Sequence, residues 1–580
     1  MSNSIELMKS FEYNLTLEEL NKRTSSEYLI TKKFLNVDSL EYKKLEDGDK
    51  KALAYLVKAS IIFDKIYMQL DNVHNLEVLE WLKKQSESGD EKGKLTLKLF
   101  YGQKGVNAVD NMSKEVQLIK GIDSKIGKGF YPEDLTKEEF YTILITMIHK
   151  GKINEVKNIL TQRSVVVRDN DELKGIDYID YFKEDFIKVA DLLDKAREYS
   201  TNADFNEYLD LQAKALRTAD PMLDAYADKK WASLQDTPLE FTITRESYED
   251  KMTASIIENE ELQKLLDKNN INAISKDSLG CRVGIVNKEG TDNLLKIKKY
   301  LPALAKAMPN SDKYIQILSD DDEKQTMVDV DMVIATGDVG AYRGGITLAE
   351  NLPNADKMTF KIGGGRRNVY HRQIRFVSDT AKLQKKLDEI LCSEQHIYYN
   401  NEADHLATIG HENAHTLGPK DSKEKLGKYS NIIEENKADM VSLAFLDLLI
   451  EKGMYTKDER NQIIVTEVVC NFLKSKPILT QAHRVRTVMQ NKYFFDNGGY
   501  EITAYGKIKV NIDKIPKIAY KMLEEIISVQ LSGNFKDAKD YVTKYFVWTD
   551  EMQLIAEKLQ KIDKTLNGCV ENKLADSLLE

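Results

Sequence analysis

The stretch IGHENAHTLGP holds His411, Glu412 and His415. On an α-helix, side chains four positions apart share a face, so two imidazoles at this spacing can reach one metal ion. A glutamate beside the first imidazole stands where it can take a proton from a metal-bound water rather than ligate the metal. Gly418-Pro419 stops the helix just past the second histidine. A catalytic site of this kind needs a third protein ligand and one open position. Some twenty residues on, YSNIIEENKADMVSLAFLDLL presents Glu434, Glu435 and Asp439 ahead of an apolar run, with Glu435 and Asp439 on one helical face. An acidic pair on a helix is ordinarily a solvated face. Beside HExxH it becomes a source of the third ligand, and the remaining acids can hold the imidazole N–H groups. Two neutral imidazoles and one carboxylate suit Zn2+ best, one ion per chain, and leave it able to lower the pKa of a water to about 7.

These residues need helices to carry them, and the chain supplies them. In KALAYLVKASIIFDKIYMQL the apolar positions Leu53, Leu56, Val57, Ile61, Phe63, Ile66 and Leu70 recur at helical spacing. FYPEDLTKEEF carries a helix start, with Thr136 and Glu139 spaced as a capping box. The middle of the chain changes character. PLEFTITR, GCRVGIVN, MVDVDMVIATGDV and RNVYHRQIRFV are rich in β-branched and alternating residues and predict strands. From about residue 381 the pattern is helical again. The expected fold is mainly α with a β-containing middle, an α+β protein of two lobes.

Bulk properties bound the partners. At 580 residues the chain exceeds one compact core, and with 9 prolines and no long flexible linker its lobes should pack together. The net charge of -10 gives no general attraction to nucleic acid or anionic lipid. Cys281, Cys392, Cys470 and Cys569 form no CxxC pair and predict free buried thiols. MSNSIELMKSFEYN lacks a basic segment followed by an apolar run, and Met440–Ile450 is too short to span a bilayer. A cytoplasmic monomer with no membrane or nucleic-acid partner is expected. Gly363-Gly364-Gly365 is followed by no Lys-Ser/Thr and predicts a loop or strand bend, not a phosphate site. His405 lies six residues before His411, on another helix face, and predicts no ligand.

HENAH followed by EENKAD resembles the zinc core of the dipeptidyl peptidase III family. FYPEDLTKEEF, PLEFTITRESYED, AYRGGITLAENLPN, QAHRVR and the segment from about Lys507 to Phe546 extend the resemblance to roughly residues 35–565. It implies a two-His, one-Glu site whose glutamate is Glu435, with Glu434 and Asp439 behind the histidines. It also implies two lobes separated by a wide cleft, the zinc helices in the upper one and a β core in the lower one. On that pattern residues 1–267 form the lower lobe, 268–334 an upper-lobe segment, 335–380 a return to the lower β core, and 381–580 the helical zinc-binding lobe. The implied activity is zinc-dependent release of dipeptides from the free N-terminus of short peptides, with Glu412 as general base. Glu246 and Tyr248 match a substrate-binding glutamate and a catalytic tyrosine. Asn351 and Asn354 match two asparagines that hold the substrate backbone and N-terminus. His483 matches a histidine that stabilises the transition state. A further acid for the amine is Glu260, with Glu258 as the alternative. The best-known members have HExxxH, one residue longer than the spacing here, which leaves open an aminopeptidase or oligopeptidase of different cut, or a non-catalytic peptide-binding relative.

Overall fold

A computed structural model describes residues 11–25, 29–109, 115–218, 220–246, 250–314, 326–337, 349–352, 362–365, 367–371, 380–419, 423–479, 481–562 and 567–580. The architecture is mixed α+β and predominantly helical. Two large apolar cores organise it. The first is built from helices Asp47–Asp71, Lys137–His149, Lys183–Tyr199 and Ala203–Thr218 against one face of a sheet. In the helix Asp47–Asp71 the periodic residues Leu53, Leu56, Val57, Phe63, Ile66 and Leu70 are buried, whereas Ile61, expected among them, faces solvent.

The sheet consists of β1 (Leu239–Glu246), β2 (Ser278–Asn287), β3 (Thr326–Gly337), β4 (Ala349–Leu352) and β5 (Arg367–Tyr370), in spatial order β1-β2-β3-β5-β4. β3 runs parallel to β5, and the other neighbours are antiparallel. β3 is buried along its whole length, and Asp329 and Asp331 are buried in it between its apolar residues. Strands about 4.8 Å apart would set β1 and β5 roughly 14 Å apart in a flat sheet. Yet Arg367 Nη2 on β5 donates to Glu240 Oε2 on β1 at 2.7 Å, with Trp231 Nε1 bonded to Glu240 Oε1 at 2.7 Å. A fully buried ion pair thus links two strands of the curled sheet that are not neighbours. A final parallel pair joins Leu29–Lys33 to Asn567–Glu571 and brings Leu574 and Ala575 into the first core.

The second core holds helices α1 (Asn401–Ala414), α2 (Ser430–Ala444), α3 (Lys457–Cys470), α4 (Ala482–Asp496) and α5 (Ile515–Ser532). Asn400 caps α1 by accepting the Glu402 N–H. α2 is covered on nearly every side: Ile432, Ile433, Met440 and Val441 are buried, and so are Asn436, Lys437 and Asp439. α1 and α2 approach closely at Gly410, where an added Cβ would stand 2.4 Å from Ser442 Oγ. α1 also docks on the sheet. Ile409 packs with Met327, Ala349 and Tyr370, and Asn413 Nδ2 donates to the Tyr370 hydroxyl at 3.2 Å.

Two local expectations change. Thr136 does cap its helix by accepting the Glu139 N–H at 3.2 Å, but the Glu139 carboxylate turns outward to a bidentate pair with Arg168. Full capping boxes stand instead at Thr16/Glu19 and Thr456/Glu459. Cys281 and Cys392 are buried thiols, but Cys470, at the end of α3, is exposed. Among the described residues no helix is long and apolar enough to cross a membrane.

Candidate active site

His411 lies in the last turn of α1, and His415 is its C-cap residue, still in right-handed helical conformation. Their Nε2 atoms face each other at 3.2 Å. Glu435, on α2, enters from the side: Oε2 lies 3.3 Å from His411 Nε2 and Oε1 3.9 Å from His415 Nε2. The other nitrogen of each ring has its own carboxylate. His411 Nδ1 is 2.6 Å from Asp439 Oδ1, and His415 Nδ1 is 2.9 Å from Glu434 Oε1. With both Nδ1 atoms donating, each Nε2 presents a lone pair.

Three acceptors thus converge with no donor among them, and buried Glu435 Oε2 has no well-aligned hydrogen bond. A cation resolves that repulsion. Ligand atoms about 2.1 Å from a tetrahedral ion sit roughly 3.4 Å from one another, close to the 3.2 Å and 3.3 Å that separate His411 Nε2 from His415 Nε2 and from Glu435 Oε2. Among the described residues this trio is the one group of histidines and acids gathered closely enough to hold a metal ion.

The carboxylates are themselves held. Glu434 accepts from Lys437 Nζ at 2.8 Å and Gln530 Nε2 at 3.1 Å. Burial would raise its pKa, but the Lys437 ammonium and the His415 hydrogen bond outweigh it and hold the carboxyl far below the usual range. Burial likewise opposes ionisation of Glu435, and contacts with His411 and His483 hold it low. α4 supplies a stripe at helical spacing: His483 Nδ1 lies 3.1 Å from Glu435 Oε2, Arg486 pairs with Asp439, and Gln490 Nε2 donates to Asp439 Oδ2 at 2.8 Å. The hydrogen bond to Glu435 raises the His483 pKa. Glu412, 9% exposed, shares with His411, His483, Arg486 and Asn471 the wall of a cavity of about 330 Å³.

The remaining sequence candidates fall elsewhere or outside the description. Glu246 is the last residue of β1, its backbone opposite Ser278, and Asn351 lies in β4 opposite Asn368; their side chains are not described. Tyr248 and Asn354 lie outside the described residues. The structure does not bring Glu260 to the cluster: it opens the helix Glu260–Lys268, 86% exposed, beside Lys264. Glu258 is paired with Lys137 at the surface. His405 is buried, edge-on to Tyr370 and apart from the His411, His415 and Glu435 cluster. Gly363 lies in a turn with φ +78 ahead of β5, and no helix starts there. Lys437, Gln490 and Gln530 were not anticipated. A lysine placed inside an apolar helix pattern was the one available signal.

No family model matches the sequence. The structure is similar to that of DPP III from Caldithrix abyssi, with a TM-score of 0.76 and 26% identity, covering 96% of this chain and 100% of that one. It is also similar to dipeptidyl-peptidase III from Corallococcus sp. strain EGB, with a TM-score of 0.72 and 21% identity over 98% and 99% of the two chains. Among curated proteins, Nudix hydrolase 3 from Arabidopsis thaliana is 23% identical over 596 residues, spanning 92% of this chain and 72% of the plant protein. A likeness that runs nearly end to end with two solved peptidases makes this protein a peptidase by class. Within that class, the likeness supports the dipeptidyl peptidase III family.

Proposed function

We propose that the protein is a zinc-dependent exopeptidase that releases dipeptides from the free N-terminus of short peptides. The observation that carries the proposal is the convergence of His411 Nε2, His415 Nε2 and a Glu435 oxygen, with both Nδ1 atoms already committed to carboxylates. When bound there, Zn2+ supplies Lewis acidity toward the scissile carbonyl and toward water. Glu412 takes the proton of the attacking water and delivers it to the leaving amine. His483, on the wall of the same cavity, donates to the oxyanion as that charge develops, and Tyr248 is its partner in that role. Glu246, Asn351 and Asn354 bind the substrate ammonium and backbone. Glu260, with Glu258 as its alternative, is the further acid for the amine; Glu260 is exposed beside Lys264 and Glu258 pairs with Lys137.

The test is purified protein against dipeptidyl arylamides, with zinc content measured and a chelator arm included. An unblocked hexapeptide should lose two residues at a time, and its N-acetylated form should be inert. Loss of single residues would instead make the protein an aminopeptidase. Zinc at unit stoichiometry with no chelator-sensitive release would refute the proposal.

A further inference from the structure

We propose that Lys437 is a positioning residue that assembles the His415 half of the metal site, an inference resting on the zinc reading above. Lys437 is a lysine with 1% of its side chain exposed, in the middle of α2. Its Nζ donates to Leu417 O at 2.5 Å and to Glu434 Oε1 at 2.8 Å. The first acceptor belongs to the turn that follows His415, and the second is the same oxygen that lies 2.9 Å from His415 Nδ1. One ammonium therefore ties the chain behind a metal-ligating histidine to the carboxylate that orients its ring.

Gly418, at φ +91, makes the connection possible. It turns the chain back over the lysine stem, and an added Cβ there would stand 3.1 Å from Lys437 Cδ. The third ligand, Glu435, sits on the same helix two residues before Lys437. The link thus sets the distance between the end of α1 and α2, the dimension that decides whether His415 and Glu435 meet.

The two histidines are anchored by different means. Asp439, the partner of His411, is held by Gln490 and Arg486 on α4. Glu434, the partner of His415, is held by Lys437 and by Gln530 on α5. α4 thus reaches the carboxylate behind His411, while Lys437 alone of these supports also binds the α1 turn itself. A buried ammonium is expensive to desolvate, and a leucine or methionine would fill the same volume. The ammonium is kept where it joins a carbonyl of one element to a carboxylate of another.

The experiment compares full-length wild type, Lys437→Met, Lys437→Gln and the control Ile555→Ala. The control truncates a fully buried side chain of the same core in the helix Asp550–Ile562. Zinc dissociation constants are read by competition with a chromophoric chelator, without substrate, well below each unfolding midpoint. Both Lys437 variants should bind zinc about 10- to 100-fold more weakly, the range for losing a residue that supports a metal ligand. Ile555→Ala should lower the unfolding midpoint and leave the zinc affinity within twofold of wild type. Lys437→Gln keeps a donor but cannot span both acceptors, and it decides the matter if the Met variant is insoluble. Wild-type affinity in either folded Lys437 variant, or an equal loss in Ile555→Ala, overturns the proposal. A wild type that binds zinc and cleaves no peptide would sink the peptidase reading and leave this one standing.

Discussion

Asp439→Asn removes one charge and no volume, and the structure says why it should be severe. Three donors converge on the two Asp439 oxygens: the His411 ring at 2.6 Å, Gln490 Nε2 at 2.8 Å and the Arg486 guanidinium. An asparagine has one acceptor oxygen, and its NH2 must face at least one of those donors. The side chains of Asp439 and Arg486 are only 7% and 14% exposed, so the substitution also leaves a nearly buried guanidinium without its counter-charge. Breaking such a pair costs about 3–5 kcal/mol of folding stability. Loss of the anchor behind a metal-ligating histidine costs about 10- to 100-fold in zinc affinity, equivalent to about 1.4–2.7 kcal/mol. Chelator competition gives the first-site zinc constant, and denaturant unfolding of chelator-treated protein gives the stability. Zinc affinity and unfolding midpoint both within error of wild type would refute the claim that Asp439 holds His411 through a charged bond.

Three further expectations follow from other parts of the molecule. Glu412→Gln should keep stoichiometric zinc and lose about 10²- to 10⁴-fold in kcat, since only the proton acceptor is removed; an unchanged rate would exclude Glu412 as the base. Arg367→Met should lower unfolding stability by about 3–5 kcal/mol by orphaning Glu240, which is 2% exposed, and a change under 1 kcal/mol would show that the curl does not depend on the pair. Burial pushes the Lys276 ammonium down to about 8, although Nζ contacts Thr161 O and Ser164 Oγ. Its charged form is thus disfavoured in the folded state, a penalty fully present below pH 8 and relieved as pH rises toward the unfolded value near 10.5. Measured against Lys276→Met, wild type should gain about 3 kcal/mol across that window; a pH-independent difference would contradict it.

The histidine pair was legible because its geometry is local, whereas the choice of Glu435 over Glu434 came from the resemblance of EENKAD to a family pattern. Spacing of four on a helix fixes where His411 and His415 point before any tertiary contact forms, and Glu435 and Asp439 repeat that logic on α2. The strands were legible for a related reason: β-branched and alternating residues mark extended chain within a few positions. What could not be read is the machinery reached across space. Gln490 and Gln530 are polar residues of ordinary appearance on α4 and α5, and only the packing of those helices against α2 brings their amides to Asp439 and Glu434. Glu139 illustrates the opposite failure. Its spacing from Thr136 was right for a reciprocal cap, but Arg168, 29 residues on, offered a charged bidentate partner and took the carboxylate away. Glu260 opens the helix Glu260–Lys268 in solvent beside Lys264, a placement that its spacing in the sequence did not reveal.

The parallel ribbon between Leu29–Lys33 and Asn567–Glu571 constrains how the chain is made. During synthesis, Phe34 and the helix that follows it emerge first, but Leu574 and Ala575, which complete their core, emerge after the entire second core. The first core must wait, partly open, while hundreds of residues are translated and folded beside it. Its closing side chains arrive in one short segment. A ribosome stalled just before residue 567, or a protease trimming that segment, would leave a finished metal site attached to an unfinished core.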